Sequence, residues 1–189
     1  MKLIVGLNNN NLKYKNTRHN IGSCFVKKLA KTYKKKFKIK KMFLGKISKI
    51  KINKKNTYLL IPNTYINLSG NSVLPFIKYY KIKKKNIIIV HDELDLTPGI
   101  AKFKKGINYC GHNGIKHIAQ TIKYNKFYRL RIGIGHPGKN NDINKFVLNK
   151  PEKKEKKLIN NAIKKAIKSI KILIKKNIII AMNELHNYK

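Results

Sequence analysis

The chain is short of acid, of cysteine and of long apolar runs, and each shortage narrows what it can be. Seven Asp and Glu stand against 45 Lys and Arg in 189 residues, a formal charge of +38. So large an imbalance ordinarily indicates a nucleic-acid or anionic-membrane partner. It is discounted here because Lys, Ile and Asn, whose codons are almost wholly A and T, supply 96 of the 189 residues. An AT-rich genome inflates all three whatever the protein does. Cys24 and Cys110 have no CxxC or Cys/His ligand spacing, which argues against a disulfide framework or a zinc knuckle and for two inert thiols. No run approaches the ~18 apolar residues of a membrane span; even Ile178, Ile179 and Ile180 are hemmed by Lys176 and Asn183. Met1 leads straight into Lys2-Leu3-Ile4-Val5-Gly6 without a signal-like apolar stretch and cleavage site. A soluble, cytoplasmic protein is expected.

Three motifs are also missing. The loop after the first apolar run has neither G-x-G-x-x-G nor G-x-x-x-x-G-K-[ST], so a nucleotide-cofactor enzyme is not indicated. No Ser or Cys sits in a G-x-S-x-G elbow, so an enzymatic nucleophile has to come from elsewhere, and water is the expected one.

What is present is an alternation. Short apolar runs at Leu3 to Val5, Tyr58 to Ile61, Ile87 to Val90 and Leu130 to Ile134 read as buried strands. Between them, Ile21, Phe25, Leu29 and Tyr33, then Val73, Phe76, Ile77 and Tyr80, then Ile115, Ile118 and Ile122 recur at helical spacing. The expectation is an α/β fold, a single domain over residues 1–187, with a mixed, mostly parallel twisted sheet and helices on both faces. Lys41 to Ile52 fits neither period and reads as an extended excursion or hairpin. After Pro151, Ile159, Ile163, Ala166, Ile170 and Leu173 predict a long C-terminal amphipathic helix packed on the outside. An RNA-docking or membrane-surface role for its basic face is the alternative.

The chemistry sits at strand ends. Asp92, Glu93 and Asp95 fall within four positions directly after Ile87 to Val90, the edge of an open α/β sheet where ligands bind. A metal site is one reading of His91-Asp92-Glu93-Leu94-Asp95, although no H-E-x-x-H spacing accompanies it. Glu93 and Asp95 read equally well as turn caps or as partners of nearby Lys. The first strand runs into an Asn-rich loop and then Thr17-Arg18-His19-Asn20 before a helix. Pro62 to Gly70 follows the second strand, and Gly111-His112-Asn113-Gly114 opens a third helix. From its position beside a helix start His19 reads first as a satisfied structural histidine; the other reading is an imidazole that Asp92 orients as a general base, with Asn9, Asn67 and Asn113 supplying uncharged donors and acceptors.

At these residues the sequence resembles the bacterial-type peptidyl-tRNA hydrolase family over essentially its full length. The family's K-L-I-V-G-L stands at Lys2 to Leu7, Y-x-x-T-R-H-N-x-G at Tyr14 to Gly22, N-L-S-G at Asn67 to Gly70, H-D-E-L-D at His91 to Asp95, G-H-N-G at Gly111 to Gly114, and R-L-R-I-G-I-G-H-P-G at Arg129 to Gly138. The resemblance implies a monomeric esterase with no metal and no cofactor, which frees tRNA from peptidyl-tRNA by cutting the ester to the terminal ribose. It implies His19 as base and Asp92 as its partner, Asn67 and Asn113 as substrate-binding carboxamides, Tyr14 and Tyr65 against the tRNA 3′ end, and Asn9 on the peptide bond. It also matches Lys102, Lys104 and Arg131 to tRNA phosphate contacts. Two departures stand out. Asn10 and Asn11 replace the family's Pro-Gly, predicting a turn under left-handed strain, and Gly106-Ile107-Asn108-Tyr109-Cys110 carries fewer glycines than the usual lid. The competing functions are an RNA-binding module that hydrolyses nothing and a nucleoside-processing enzyme of related architecture; intact His19 and Asp92 argue against the first, and the lack of a phosphate or purine pocket motif against the second.

Overall fold

The computed structural model describes residues 1–106, 111–138 and 141–187. Ile107 to Cys110 of the expected lid, and with them the second thiol, lie outside the described residues. Among the described residues seven strands, β1 (Lys2–Gly6), β2 (Lys38–Lys40), β3 (Gly45–Ile52), β4 (Lys55–Pro62), β5 (Ile87–Glu93), β6 (Ala101–Lys105) and β7 (Tyr128–Gly133), form one sheet. Their order is β2-β3-β4-β1-β5-β7-β6. The four central strands are parallel to one another, and antiparallel partners close both sides. Among the described residues six α-helices surround the sheet: α1 (Ile21–Thr32), α2 (Gly70–Tyr79), α3 (Asn113–Ile122), α4 (Ile143–Val147), α5 (Lys153–Lys175) and α6 (Ile178–His186). This is the expected α/β fold.

The two-residue period of the central strands divides the core. Leu3, Val5, Ile87 and Ile89 pack with Val73 and Phe76 of α2 and Ile115 and Ile118 of α3. The alternate residues Ile4, Ile88 and Val90 pack with Phe25 and Leu29 of α1 and Ile163 and Ile170 of α5. Because both faces are buried, these strands read as continuous apolar runs. The excursion after α1 resolves into β2, a 3-10 turn at Lys41–Phe43, and a β3–β4 hairpin. Asn53 and Lys54 at its tip both take positive φ, 48° and 60°, as a two-residue hairpin matching the twist of its strands requires.

Two local expectations need adjustment, and the long helix expected after Pro151 is found and gains detail at its ends. The run beginning at Ile87 extends as strand to Glu93, so His91, Asp92 and Glu93 sit on the ladder opposite Arg131, Ile132 and Gly133 rather than in the loop beyond it. The helix after Pro151 starts with a capping box between Glu152 and Glu155. It stops at Lys176, where Asn177 opens α6 as a separate helix by accepting the Ile180 amide. The Asn-rich turn carries no left-handed strain at Asn11, whose φ is −66°; the residue with positive φ is Asn16, at 65°.

The start of α1 lies directly on the sheet. A Cβ on Gly22 would come within 2.3 Å of the Val90 carbonyl oxygen and 2.6 Å of the Leu7 amide. A Cβ on Gly6 would come within 2.4 Å of the Gly22 carbonyl oxygen. Only hydrogen at both positions permits this approach, which the Ser23 amide secures by donating to the Leu7 carbonyl at 2.9 Å. Gly22→Ala is therefore expected to cost about 3 kcal/mol, the upper range for forcing atoms into a packed interior. Urea unfolding would measure it, and a loss under about 0.5 kcal/mol, the size of an ordinary surface change, would contradict this seating.

Candidate active site

β5 ends on a polar trio within a buried strand. Asp92, with 5% of its surface exposed, follows Ile88 and Val90 toward the α1 side of the sheet by strand alternation. There it meets His19, which stands in the 3-10 turn Arg18–Asn20 leading into α1. His19 Nδ1 lies 2.9 Å from Asp92 Oδ2. The second carboxylate oxygen, Oδ1, is 3.2 Å from Nε2 of His112, the residue that precedes α3. The two imidazoles lie near each other, with centroids 4.9 Å apart. One carboxylate thus ties the entries of two helices to the end of a strand.

Burial would push the Asp92 carboxyl up, yet the two imidazoles facing it hold it well below the usual carboxylate range. Burial opposes charge on His19 as well, but the charge and hydrogen bond of Asp92 outweigh it and raise the imidazole above its ordinary value. His91 behaves differently. Its burial, with His112 beside it, drives its pKa well below the normal range, and its Nδ1–H donates to the Asp92 carbonyl at 2.6 Å. A neutral His91 packs edge-on against His112, centroids 5.1 Å apart. The site therefore combines one ionised carboxylate, one readily protonated ring and one ring kept neutral.

A cavity of about 140 Å³ opens over this group, lined among others by His19, Asp92, His112, Asn113, Asn144 and Val147. His19, Asp92 and Asn113 of the expected set thus share one hollow. Asn9 and Tyr14 approach through their backbone: the Asn20 side chain accepts from the Asn9 amide at 2.6 Å and donates to the Tyr14 carbonyl at 2.8 Å. Asn10 in turn donates its amide to Thr64, bringing the Asn-rich loop to the segment that holds Tyr65 and Asn67. Both of these are exposed, Asn67 within the 3-10 turn Ile66–Leu68. His19, Asp92 and His112 each offer one ligand-type atom, all within 4.8 Å of one another, so the trio has the donor set for a cation. In the arrangement seen, the two ring nitrogens find the two carboxylate oxygens directly.

The expected phosphate contacts gather on one strip of the sheet edge. Lys102 pairs with Arg131 and Lys104 with Arg129 across β6 and β7, and both lysines are exposed. Arg131 is different, because its Nε donates to buried Glu93 at 2.6 Å. Glu93 is thus the buried partner of a half-buried arginine rather than a solvated loop carboxylate, whereas Asp95 is exposed. Two residues escaped the sequence reading. His112 adjoins Asn113 in G-H-N-G, and its presence in that motif was the available signal. Arg18 precedes His19, and its guanidinium binds Glu155 at 2.6 Å and the Lys150 carbonyl at 3.1 Å while lying 4.1 Å over Phe146, so it anchors the His19 turn to the start of α5.

No helix among the described residues is long and apolar enough to cross a membrane. Residues 3–189 match the peptidyl-tRNA hydrolase family. The chain is 45% identical over 190 residues to the peptidyl-tRNA hydrolase of Pectobacterium atrosepticum, covering 100% of this chain and 97% of that one. The corresponding protein of Vibrio parahaemolyticus shows the same identity and coverage. The crystal structure of peptidyl-tRNA hydrolase from Acinetobacter baumannii superposes with a TM-score of 0.95 at 42% identity, covering 100% of this chain and 96% of that one. With the family match running over almost its whole length and its fold superposing on that of a solved relative, the chain belongs to the peptidyl-tRNA hydrolase family.

Proposed function

We propose that this chain hydrolyses the ester between a peptide and the 3′-terminal ribose of tRNA, with His19 as general base and Asp92 as the group that orients it. The observation that carries this reading is the 2.9 Å contact between His19 Nδ1 and Asp92 Oδ2 in the wall of the cavity. With Nδ1–H donated to the carboxylate, the Nε2 lone pair is the free one and accepts a proton from water. The water oxygen bonds to the ester carbonyl carbon, the bond from that carbon to the ribose oxygen breaks, and the proton held by His19 passes to the departing ribose oxygen. Asp92 stabilises the imidazolium between these two transfers. His112, on the other carboxylate oxygen, fixes the plane of Asp92.

Around this centre Asn67 and Asn113 bind the substrate as carboxamides, Asn9 binds the peptide bond, and Tyr14 and Tyr65 line the tRNA 3′ end. Lys102 and Lys104 meet tRNA phosphates from the exposed strip, with Arg131 beside them. Every group invoked comes from one chain, in keeping with a monomer acting in the cytoplasm, where translation releases such tRNAs. The assay is release of free tRNA from N-acetyl-aminoacyl-tRNA by the purified protein; binding without release would identify an RNA-binding module instead.

His19→Ala is expected to lower kcat by ~10²-fold to 10⁴-fold with tRNA affinity near normal, since proton transfer is what is lost. Hydrolysis near the wild-type rate would remove His19 from the mechanism. Asp92→Asn probes the pair differently. The base acts only when neutral, so activity falls as pH drops through the raised pKa of His19. Replacing Asp92 removes both influences that raise that pKa and leaves burial, which lowers it. The acidic limb of kcat/KM should move to lower pH while the plateau falls, because an amide stabilises imidazolium poorly. A pH–rate profile with the limb unmoved would uncouple Asp92 from His19.

A further inference from the structure

We propose that His117 is a positioning residue for the reaction: from α3, which carries Asn113, it ties down the turn that carries Asn67, and so sets the spacing of the two carboxamides. This rests on the substrate-binding reading of Asn67 and Asn113 given above. The observation is the hydrogen bond from the Gly70 amide, the first residue of α2, to His117 Nδ1 at 3.0 Å. No side chain of α2's own N-cap residue, Ser69, caps that end; the Ser69 hydroxyl instead donates to the Ile66 carbonyl at 2.7 Å. A helix start with unmet amides needs an acceptor, and here it comes from another helix.

The chemistry of the ring follows from this contact. Nδ1 accepts, so the ring proton sits on Nε2. The nearby Thr121 hydroxyl does not compete as donor, because it is committed to the His117 carbonyl at 2.7 Å. The fit is close: a Cβ on Gly70 would lie 2.6 Å from His117 Nδ1 and 2.4 Å from Thr121 Oγ1. The glycine of N-L-S-G is therefore what lets the imidazole reach the amide. Asn113 and His117 are four residues apart on α3, hence on one face, and a second close contact binds that face to the same turn. A Cβ on Gly114 would lie 3.0 Å from the Ile66 carbonyl oxygen, the residue before Asn67. Two ties, one at each side of Asn67, thus hold its turn against the helix of Asn113.

A simple helix cap would change stability and leave substrate recognition alone, whereas a positioning residue changes KM. His117→Leu, which keeps volume and removes the acceptor, and His117→Lys, which presents a donor to Gly70, are each expected to raise KM for N-acetyl-aminoacyl-tRNA about 5-fold to 10-fold, the worth of one lost hydrogen bond, with kcat little changed. His117→Asn, whose carbonyl oxygen can accept from Gly70, should bring KM back toward the wild-type value. Faster amide hydrogen exchange at Gly70 in the first two variants, read by NMR on the folded protein, accompanies the expected result. Faster exchange with unchanged KM would make His117 a cap and overturn the proposal, as would failure of His117→Asn to recover KM. Asn67→Ala separates the two layers. If it raises KM and the His117 variants do not, only the His117 proposal falls; if Asn67→Ala binds normally, the carboxamide reading has failed and takes the proposal with it.

Discussion

The buried carboxylate of Asp92 is the constraint on which the site depends. An ion at the end of a buried strand is costly unless its oxygens are matched, and here each oxygen has one imidazole, His19 on one side and His112 on the other. Those partners come from the turns preceding α1 and α3, so satisfying one charge fixes where two helices start. The glycine contact between Gly6 and Gly22 then makes geometric sense: α1 has to sit against β1 and β5 closely enough for His19 to reach. The chemistry and the packing of this sheet edge are one requirement met twice.

The sequence was most legible where a single element carried its own signal. The four central strands and the helices after Asn20, Ser69, His112 and Glu152 show in the spacing of apolar residues, because both faces of the sheet are covered and each helix buries one stripe. It was least legible where pairing replaces burial. Ala101–Lys105 carries only Ala101 and Phe103 as buried residues and owes its strand form to the ladder with β7. His91 to Glu93 extend β5 because the ladder with β7 continues after the apolar run has ended. The helix break at Lys176 lies inside an Ile-rich segment, where only the capping side chain of Asn177 marks it.

The site shows the same division. His19, Asp92 and Asn113 stand at strand ends or helix starts and are met in one cavity. His112 was overlooked because its role is a contact with a carboxylate 20 positions away, which no local period records. Glu93 was ambiguous for the same reason: whether an acid after a strand is solvated or buried depends on what the neighbouring strand places opposite, and here that is Arg131.

Arginine use gives the charge its clearest physical reading. Lysine outnumbers arginine 42 to 3, so wherever either cation serves, lysine stands. The three exceptions are all in built surroundings. Arg18 binds Glu155 and backbone carbonyls, Arg129 is 1% exposed and donates from Nε to the Gly106 carbonyl, and Arg131 binds Glu93. Arg18 uses the planar, multiply donating guanidinium that an ammonium cannot imitate, and the other two donate from Nε, an atom lysine lacks. Arg131 is thus an internal partner of Glu93 as well as a member of the basic strip it shares with Lys102 and Lys104.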